Sequence, residues 1–407
     1  ALTLLGGFLA CWKEPLSEHL PTLIAAYQSG VETGEFEFAG YALNNLSINI
    51  YFSGQPLNEV IRQLSIYTEK IRQIRQEVAL GTLSPYLQAA INLQDAPPQP
   101  HRLVGTVYNE QQTLEQAHLQ GRRSELHNVY LNKAILSYLM GDFEAAQDYA
   151  NAAQTYVDAV VGTVASAMST FYDALVQLAL PPAQIDRSRV DAQLAKLQNW
   201  AIHTPMKFQH KACLVAAELA RVQGQVLKAE DLYEQAIAGA KTHGYLQEEA
   251  LAWELAGRFY LERGRDRIAA TYLQEAHYTY RLWGATAKVK QLENQYPDFL
   301  SQSLRSEVTG NQRTTQSSLT SQSSPPTQID LEAMMRASQT ISSKIEMSQL
   351  LSTLMKTLME SAGARQGCLM LPTTQPNELS EWLIEAIGHT QSSQTAAAHL
   401  SITILQG

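Results

Sequence analysis

Along residues 1–298 apolar side chains recur every three or four positions, and alanine is abundant among them. Helices that bury one face and pack closely have this period, so the stretch predicts a long, mainly α region. Breaks fall at Gly54-Gln55-Pro56, at Ala96-Pro97-Pro98-Gln99-Pro100 and at Leu180-Pro181-Pro182. Proline there removes a backbone donor and sterically ends a helix, which divides the region into helical hairpins. The apolar start, residues 2–12, is shorter than the roughly 20 residues a membrane span requires and lacks a basic flank, and it predicts a buried helix. Over residues 299–328 the periodicity gives way to Ser, Thr and Gln with Pro325-Pro326, the composition of a flexible linker. Helical spacing returns at Leu331, Met334, Met335, Ala337 and Ile341, and again from Leu350 and Leu351 to Leu358 and Met359. Short apolar runs follow at 368–371, 382–387 and 400–405. Helices followed by strands predict an α+β domain over residues 329–407.

A repeat emerges when three stretches are aligned on Gly141, Gly224 and Gly264. Five positions later stand Ala146, Ala229 and Ala269, and twelve positions later Ala153, Ala236 and Ala276. Seven positions before each glycine is another small residue, Ala134, Ala217 or Gly257, and eight after it comes Tyr149, Leu232 or Tyr272. Small residues where two helices cross allow close backbone approach, and large ones fill the space between successive hairpins. The spacing therefore predicts a stacked α-solenoid, best defined over residues 126–295. The last copy carries Trp253, Ala256, Gly257 and Tyr260, which resembles the opening of a tetratricopeptide repeat. From Gly224 to Gly264 is 40 residues, against about 34 in the standard repeat, which predicts extended helices or a longer loop. Ahead of Gly54 the register fails, with Glu59 where alanine is expected; the first hundred residues are either diverged repeats or a neighbouring helical layer.

Of 407 residues, 45% are hydrophobic and 17% charged, with a formal net charge of -9. The chain can bury a large interior, while the acidic balance argues against general phosphate-backbone binding, so no nucleic-acid partner is expected. Cys11, Cys213 and Cys368 are too far apart for a metal pair or a disulfide framework and fit a cytoplasmic protein. Cys368 sits in an expected core strand, where a free thiol reads as a small hydrophobe. The fragment Gly239-Ala240-Lys241-Thr242 lacks the glycine loop that cradles phosphate, and no kinase, nucleophile-elbow or zinc-helix motif occurs. His203 and His210 share a spacing of seven but have no third ligand beside them. Arg258, Arg263, Arg265 and Arg267 alternate with Glu254 and Glu262 and read as a solvated, salt-bridged face. Trp253, Phe259, Tyr260, Tyr272, Tyr278, Tyr280 and Trp283 follow the repeat positions and read as packing, with Tyr278 and Tyr280 the expected exposed members. No catalytic, cofactor-binding or metal-binding residue is assigned.

The run from Phe259 to Gly264, then Ala269-Ala270-Thr271-Tyr272 with Glu275-Ala276-His277-Tyr278, then Trp283-Gly284-Ala285-Thr286, resembles the end of the helical repeat region in very large, cyanobacterial-type signalling kinases. Past the linker, Ala337-Ser338-Gln339, Ile341-Ser342, Leu350-Leu351 and Ala362-Gly363-Ala364 with Gly367 resemble that family's opening into a GAF domain. The likeness implies that a serine/threonine kinase and an AAA- or STAND-like ATPase precede the repeats, that residues 329–407 are the N-terminal part of an incomplete, truncated GAF-like domain, and that a sensor histidine kinase usually follows it. It implies ATP as cofactor of those other domains and none for this segment. The implied function is a non-catalytic interaction and relay segment whose partners are the ATPase/kinase and histidine-kinase modules; the alternative is a small-molecule-sensing GAF module with the helices as passive spacer. The start without Met and the stop within an apparent strand predict that the chain is a piece of a longer protein.

Overall fold

The computed structural model describes residues 2–9, 12–13 and 16–300, together with three strands further along. Chain contacts divide it into two units, Ala1–Thr315 and Gln316–Gly407. In the first unit the described elements are helical. A short helix α1 (Leu2–Leu4) runs into a π-helical turn, Leu5–Leu9. Helices α2 (Leu16–Thr33), α3 (Phe36–Tyr51), α4 (Leu57–Gln73) and α5 (Glu77–Asp95) follow. After an irregular connection come α6 (Glu110–Leu119), α7 (Arg123–Met140) and α8 (Phe143–Gln154). A 3-10 turn, Val157–Val160, leads to α9 (Val164–Ala179), α10 (Arg187–His203) and α11 (Pro205–Val222). The array closes with α12 (Val226–Thr242), α13 (Leu246–Glu262), α14 (Asp266–Trp283) and α15 (Thr286–Gln295).

The breaks lie where proline dictates: α3 stops short of Gly54-Gln55-Pro56, α5 before Pro97, and α9 before Pro181. Pro205 instead opens α11, where its missing N–H has no helical partner to lose. Gly141, Gly224 and Gly264 each turn between paired helices with positive φ, a conformation that costs glycine nothing. The aligned small residues are interior: Ala134, Ala146, Ala153, Ala217, Ala229, Ala236, Ala269 and Ala276 are all 2% exposed or less. At Gly257 a β-carbon would stand 2.9 Å from Leu273 Cγ, so α13 and α14 meet where no side chain intervenes. Position eight after the turn is only half-buried at Tyr149, Leu232 and Tyr272; the fully covered large residues are its neighbours Tyr233 and Leu273. The extra length of the repeat goes into the helices, since α11 to α14 have 17 or 18 residues each around short turns.

Residues 16–95 form two further hairpins, α2 with α3 and α4 with α5, and α5 packs on α7. Glu59 pairs with exposed Arg62, and α4 buries Leu57, Val60, Leu64, Thr68 and Ile71, a stripe without alanine.

Helices alternate between an outer and an inner layer. The outer ones, such as α4, α12 and α14, bury a single stripe. The inner ones, α3, α5, α7, α9, α11 and α13, are covered around nearly their whole girth. The expected buried N-terminal helix is a correction: only Thr3, Gly6 and Gly7 are covered, while Leu2, Leu4, Leu5, Phe8 and Leu9 are exposed.

In the second unit, β1 (Gln366–Pro372), β2 (Trp382–Gln391) and β3 (His399–Ile404) form an antiparallel sheet in sequential order. Leu369 pairs with Ala386 but Met370 with Ile384, leaving Glu385 unpaired in a bulge. The three apolar runs are thus strands. The expected linker beyond residue 300 and the helical stretches before β1 lie outside the described residues, as does Cys11.

Candidate functional site

The face on which a solenoid would present a groove is filled in this array, and buried ion pairs do part of the filling. On α11 and α13, Lys211 Nζ lies 2.7 Å from Glu248 Oε2, and His210 Nε2 meets the same oxygen. The Tyr245 ring lies under the ammonium, 4.4 Å to its centroid. Burial lowers the Lys211 pKa against the pull of Glu248. Burial and the neighbouring Lys211 push His210 down to about 4. Burial works to raise Glu248, but Lys211 first and then the His210 imidazole outweigh it, and its carboxyl titrates below the usual value. Taking charges from water costs several kcal/mol per ion unless a partner is held in good geometry; here the partner comes from the neighbouring inner helix.

Two further carboxylates repeat the arrangement. Glu254 on α13 accepts from Lys288 Nζ at 2.8 Å and from Tyr280 Oη at 2.9 Å, and Lys288 also donates to the Leu139 carbonyl at 2.6 Å. One ammonium thereby joins α15, α13 and the end of α7. Glu218 on α11 accepts from Arg221 at 2.7 Å and from the Tyr233 hydroxyl, while Arg221 donates to the Leu178 carbonyl at 3.0 Å. In each case an aromatic or imidazole group and a cation share one acid sealed between helices. Among these groups Tyr280 is 0% exposed, which corrects its expected exposure. Burial first, then Glu254, raises its hydroxyl pKa. Tyr278 is half-buried.

The array also winds back on itself. Trp12 Nε1 donates to the Gly162 carbonyl at 2.7 Å, and the Trp12 carbonyl accepts from Thr204 Oγ1 at 2.9 Å. The Trp12 ring packs on Trp200 and Phe208, 5.1 and 5.7 Å between centroids. Gln247 Nε2 donates to the Phe52 carbonyl at 3.1 Å. Gly54 lies so close to the turn between α12 and α13 that a β-carbon would be 2.7 Å from Tyr245 Cα. Leu57 likewise lies against Gly284. The first hairpins therefore seat on the last, and the inner face is a packed core.

The remaining sequence candidates separate. His203 is exposed and His210 buried, so they do not converge. Of the arginine-rich stretch, Arg263, Arg265 and Arg267 are exposed as expected. Glu254 is not part of a solvated face, because its nearest cation is buried Lys288. Arg258 is half-buried, its guanidinium 5.3 Å from the centroid of Phe143. Phe259 and Trp283 are buried, and Tyr272 packs edge-on to Trp253 and donates to Glu234 of the preceding hairpin. Glu218, Glu248, Lys211 and Lys288 were missed as interior residues. The available signal was their setting, since Lys211 opens the run Ala212-Cys213-Leu214-Val215 and Lys288 lies between Ala287 and Val289. Among the described residues no helix is long and apolar enough to cross a membrane.

The class defined by this architecture is a mainly α array of stacked helical hairpins. No family model matches the sequence. Over 61 residues, 15% of this chain, it is 43% identical to hybrid signal transduction histidine kinase G of Dictyostelium discoideum, and the match spans only 2% of that protein.

Proposed function

We propose that this chain is a non-catalytic interaction and relay segment of a multidomain signal-transduction kinase. The observation that carries the reading is the 43% identity over 61 residues to a hybrid signal transduction histidine kinase; hairpin arrays, which commonly serve as scaffolds for protein contacts, agree with it. In this reading residues 1–298 couple an upstream ATPase or kinase to a GAF-type sensor that begins near residue 329, with residues 299–328 as linker. ATP is the cofactor of the neighbouring domains, and the setting is cytoplasmic. Relay requires two packings of the array that the two ends favour differently. In this reading the contacts that seat the first hairpins on the last are the element that would open and close.

With the inner face filled, partners engage the outer helices or the ends. The test uses the full 407-residue chain, immobilised and exposed in turn to the purified kinase, ATPase and histidine-kinase domains of its own reading frame. Saturable binding of at least one domain is expected. Silence from every one of them, or a reading frame without such domains, overturns the proposal.

A further inference from the structure

On the outer side of the array three helix faces meet at a seam, with α13 beneath and α12 and α14 packed on either side of it. Residues three or four positions apart share a helix face. By that spacing α12 brings Leu227, Glu230 and Glu234 to the seam, α13 brings Glu249, Trp253 and Tyr260, and α14 brings Ile268, Tyr272 and Glu275. The contacts agree. Tyr272 reaches across to Glu234 and donates to it, and its ring centroid lies 5.1 Å from those of both Trp253 and Tyr260, at 63° and 48°. The three rings are half-buried, and Leu227 and Ile268 are 76% and 44% exposed, so aromatic and aliphatic surface meets solvent here.

The carboxylates around these rings lack cations. Ion pairs in this part of the chain use Glu218, Glu254, Glu262 and Glu293, and among the described residues Glu230, Glu234, Glu249 and Glu275 belong to none. Glu249 is 8% exposed and accepts from Trp253 Nε1 at 3.4 Å, a long bond that offsets little of the cost of covering a charge. Burial first, and Glu275 after it, raise its pKa against the pull of Trp253 and Lys241. Tyr260 shows the same field: burial first, then Glu230 and Glu234, raise its hydroxyl pKa against Tyr272 and Arg263. Excess negative charge thus extends along the seam, while Lys241 and Arg263 stand at the C-terminal ends of α12 and α13.

We propose that this seam docks a lysine- or arginine-bearing segment of a partner protein. Its cationic groups lie over the Trp253, Tyr260 and Tyr272 rings beside the unpaired carboxylates, and its aliphatic side chains rest on Leu227 and Ile268. The surface selects each part of that chemistry. Ring faces attract cations most strongly where water is partly displaced. Carboxylates without counter-ions steer basic partners in and repel acidic ones, and the same sign of charge excludes a phosphate backbone. The inference rests on the interaction role proposed above and names the partner's chemistry; its synthetic probes keep the outcome separate from the binding of neighbouring domains.

The test titrates the full 407-residue chain by calorimetry at low salt with three acetylated, amidated octapeptides: Lys-Leu-Gly-Lys in tandem, and its versions with glutamine or glutamate in place of lysine. Saturable one-to-one binding of the lysine peptide is expected, with the glutamine peptide about ten-fold weaker and the glutamate peptide silent. Glu234→Gln combined with Glu275→Gln, both at exposed positions, should weaken the lysine peptide about five- to ten-fold. Tyr260→Leu should weaken it about three-fold. Glu115→Gln combined with Glu144→Gln removes the same charge from exposed positions on α6 and α8 and should leave the affinity within about two-fold. Circular dichroism establishes that each variant is folded, and the carboxylate pairs decide the matter if Tyr260→Leu is not. The proposal is overturned if the lysine peptide does not saturate, if the glutamine peptide binds as tightly, or if folded Tyr260→Leu binds unchanged. It is equally overturned if the seam pair leaves the affinity intact or the distant pair lowers it as much.

Discussion

At Gly257 a hydrogen atom stands where most helical positions carry a side chain, and Leu273 occupies the space this leaves. Gly257→Val should force α13 and α14 apart and destabilise the chain by about 1–3 kcal/mol, the usual range for overpacking, measured by urea denaturation. The small positions were legible because glycine turns set their register and because alanine at a fixed offset has few other uses. His127 was not legible. It is fully buried, bonded through Nδ1 to Asn128 at 3.2 Å, with Nε2 unpartnered, and burial, partly opposed by that bond, lowers its pKa from 6.5 to about 4. The folded chain thus resists a proton that the unfolded chain accepts. The stability linked to His127 is whole above about pH 6.5 and declines toward pH 4, by up to about 3 kcal/mol. Comparing denaturation at pH 7 and pH 5 should show a shallower loss in His127→Leu than in the parent chain; equal slopes would remove His127 as the cause.

Between helices, the acids on α11 and α13 act as junctions. Lys288→Met leaves Glu254 buried without its cation, and the expected loss is about 3–5 kcal/mol. The double variant Lys288→Met with Glu254→Gln should recover much of it, because a neutral amide with Tyr280 as neighbour carries no uncompensated charge. A double-mutant cycle by denaturation measures the difference, and additive losses would contradict the coupling. The helical character and three of the breaks were readable from period and proline; the number of helices was not. Which helices lie inside was not, because the inner ones carry Asn, Glu and Lys at positions that a one-face pattern assigns to water. Several of those groups find a partner on a neighbouring helix, as Glu218 does in Tyr233, and partner choice is a property of three-dimensional register.

At the level of the entire helical unit, the sequence repeat encodes how each hairpin meets the next but not how the series ends. The bond from Thr204 to Trp12 joins residues 192 apart, a separation over which no periodicity carries information. Removing residues 1–95 uncovers the inner side of α13 around Gln247, which bonds to Phe52. The shortened chain should melt more than about 10 °C below the parent, given roughly 2–4 °C per kcal/mol for units of this size. In an open stack, whose hairpins touch only their neighbours, the remaining repeats would lose far less, so an unchanged melting temperature would refute the closure. The three strands of the second unit were readable from their apolar runs, whereas the bulge at Glu385 was not.

A series of hairpins whose first and last members touch has a fixed circumference. Open stacks lengthen or shorten by duplication and deletion of whole repeats, since a new copy needs only two compatible neighbours. Here an added or missing hairpin would carry Gly54 away from the turn at Gly244 and Trp12 away from Thr204, so the lineage of this protein should vary in surface loops while holding its helix number constant.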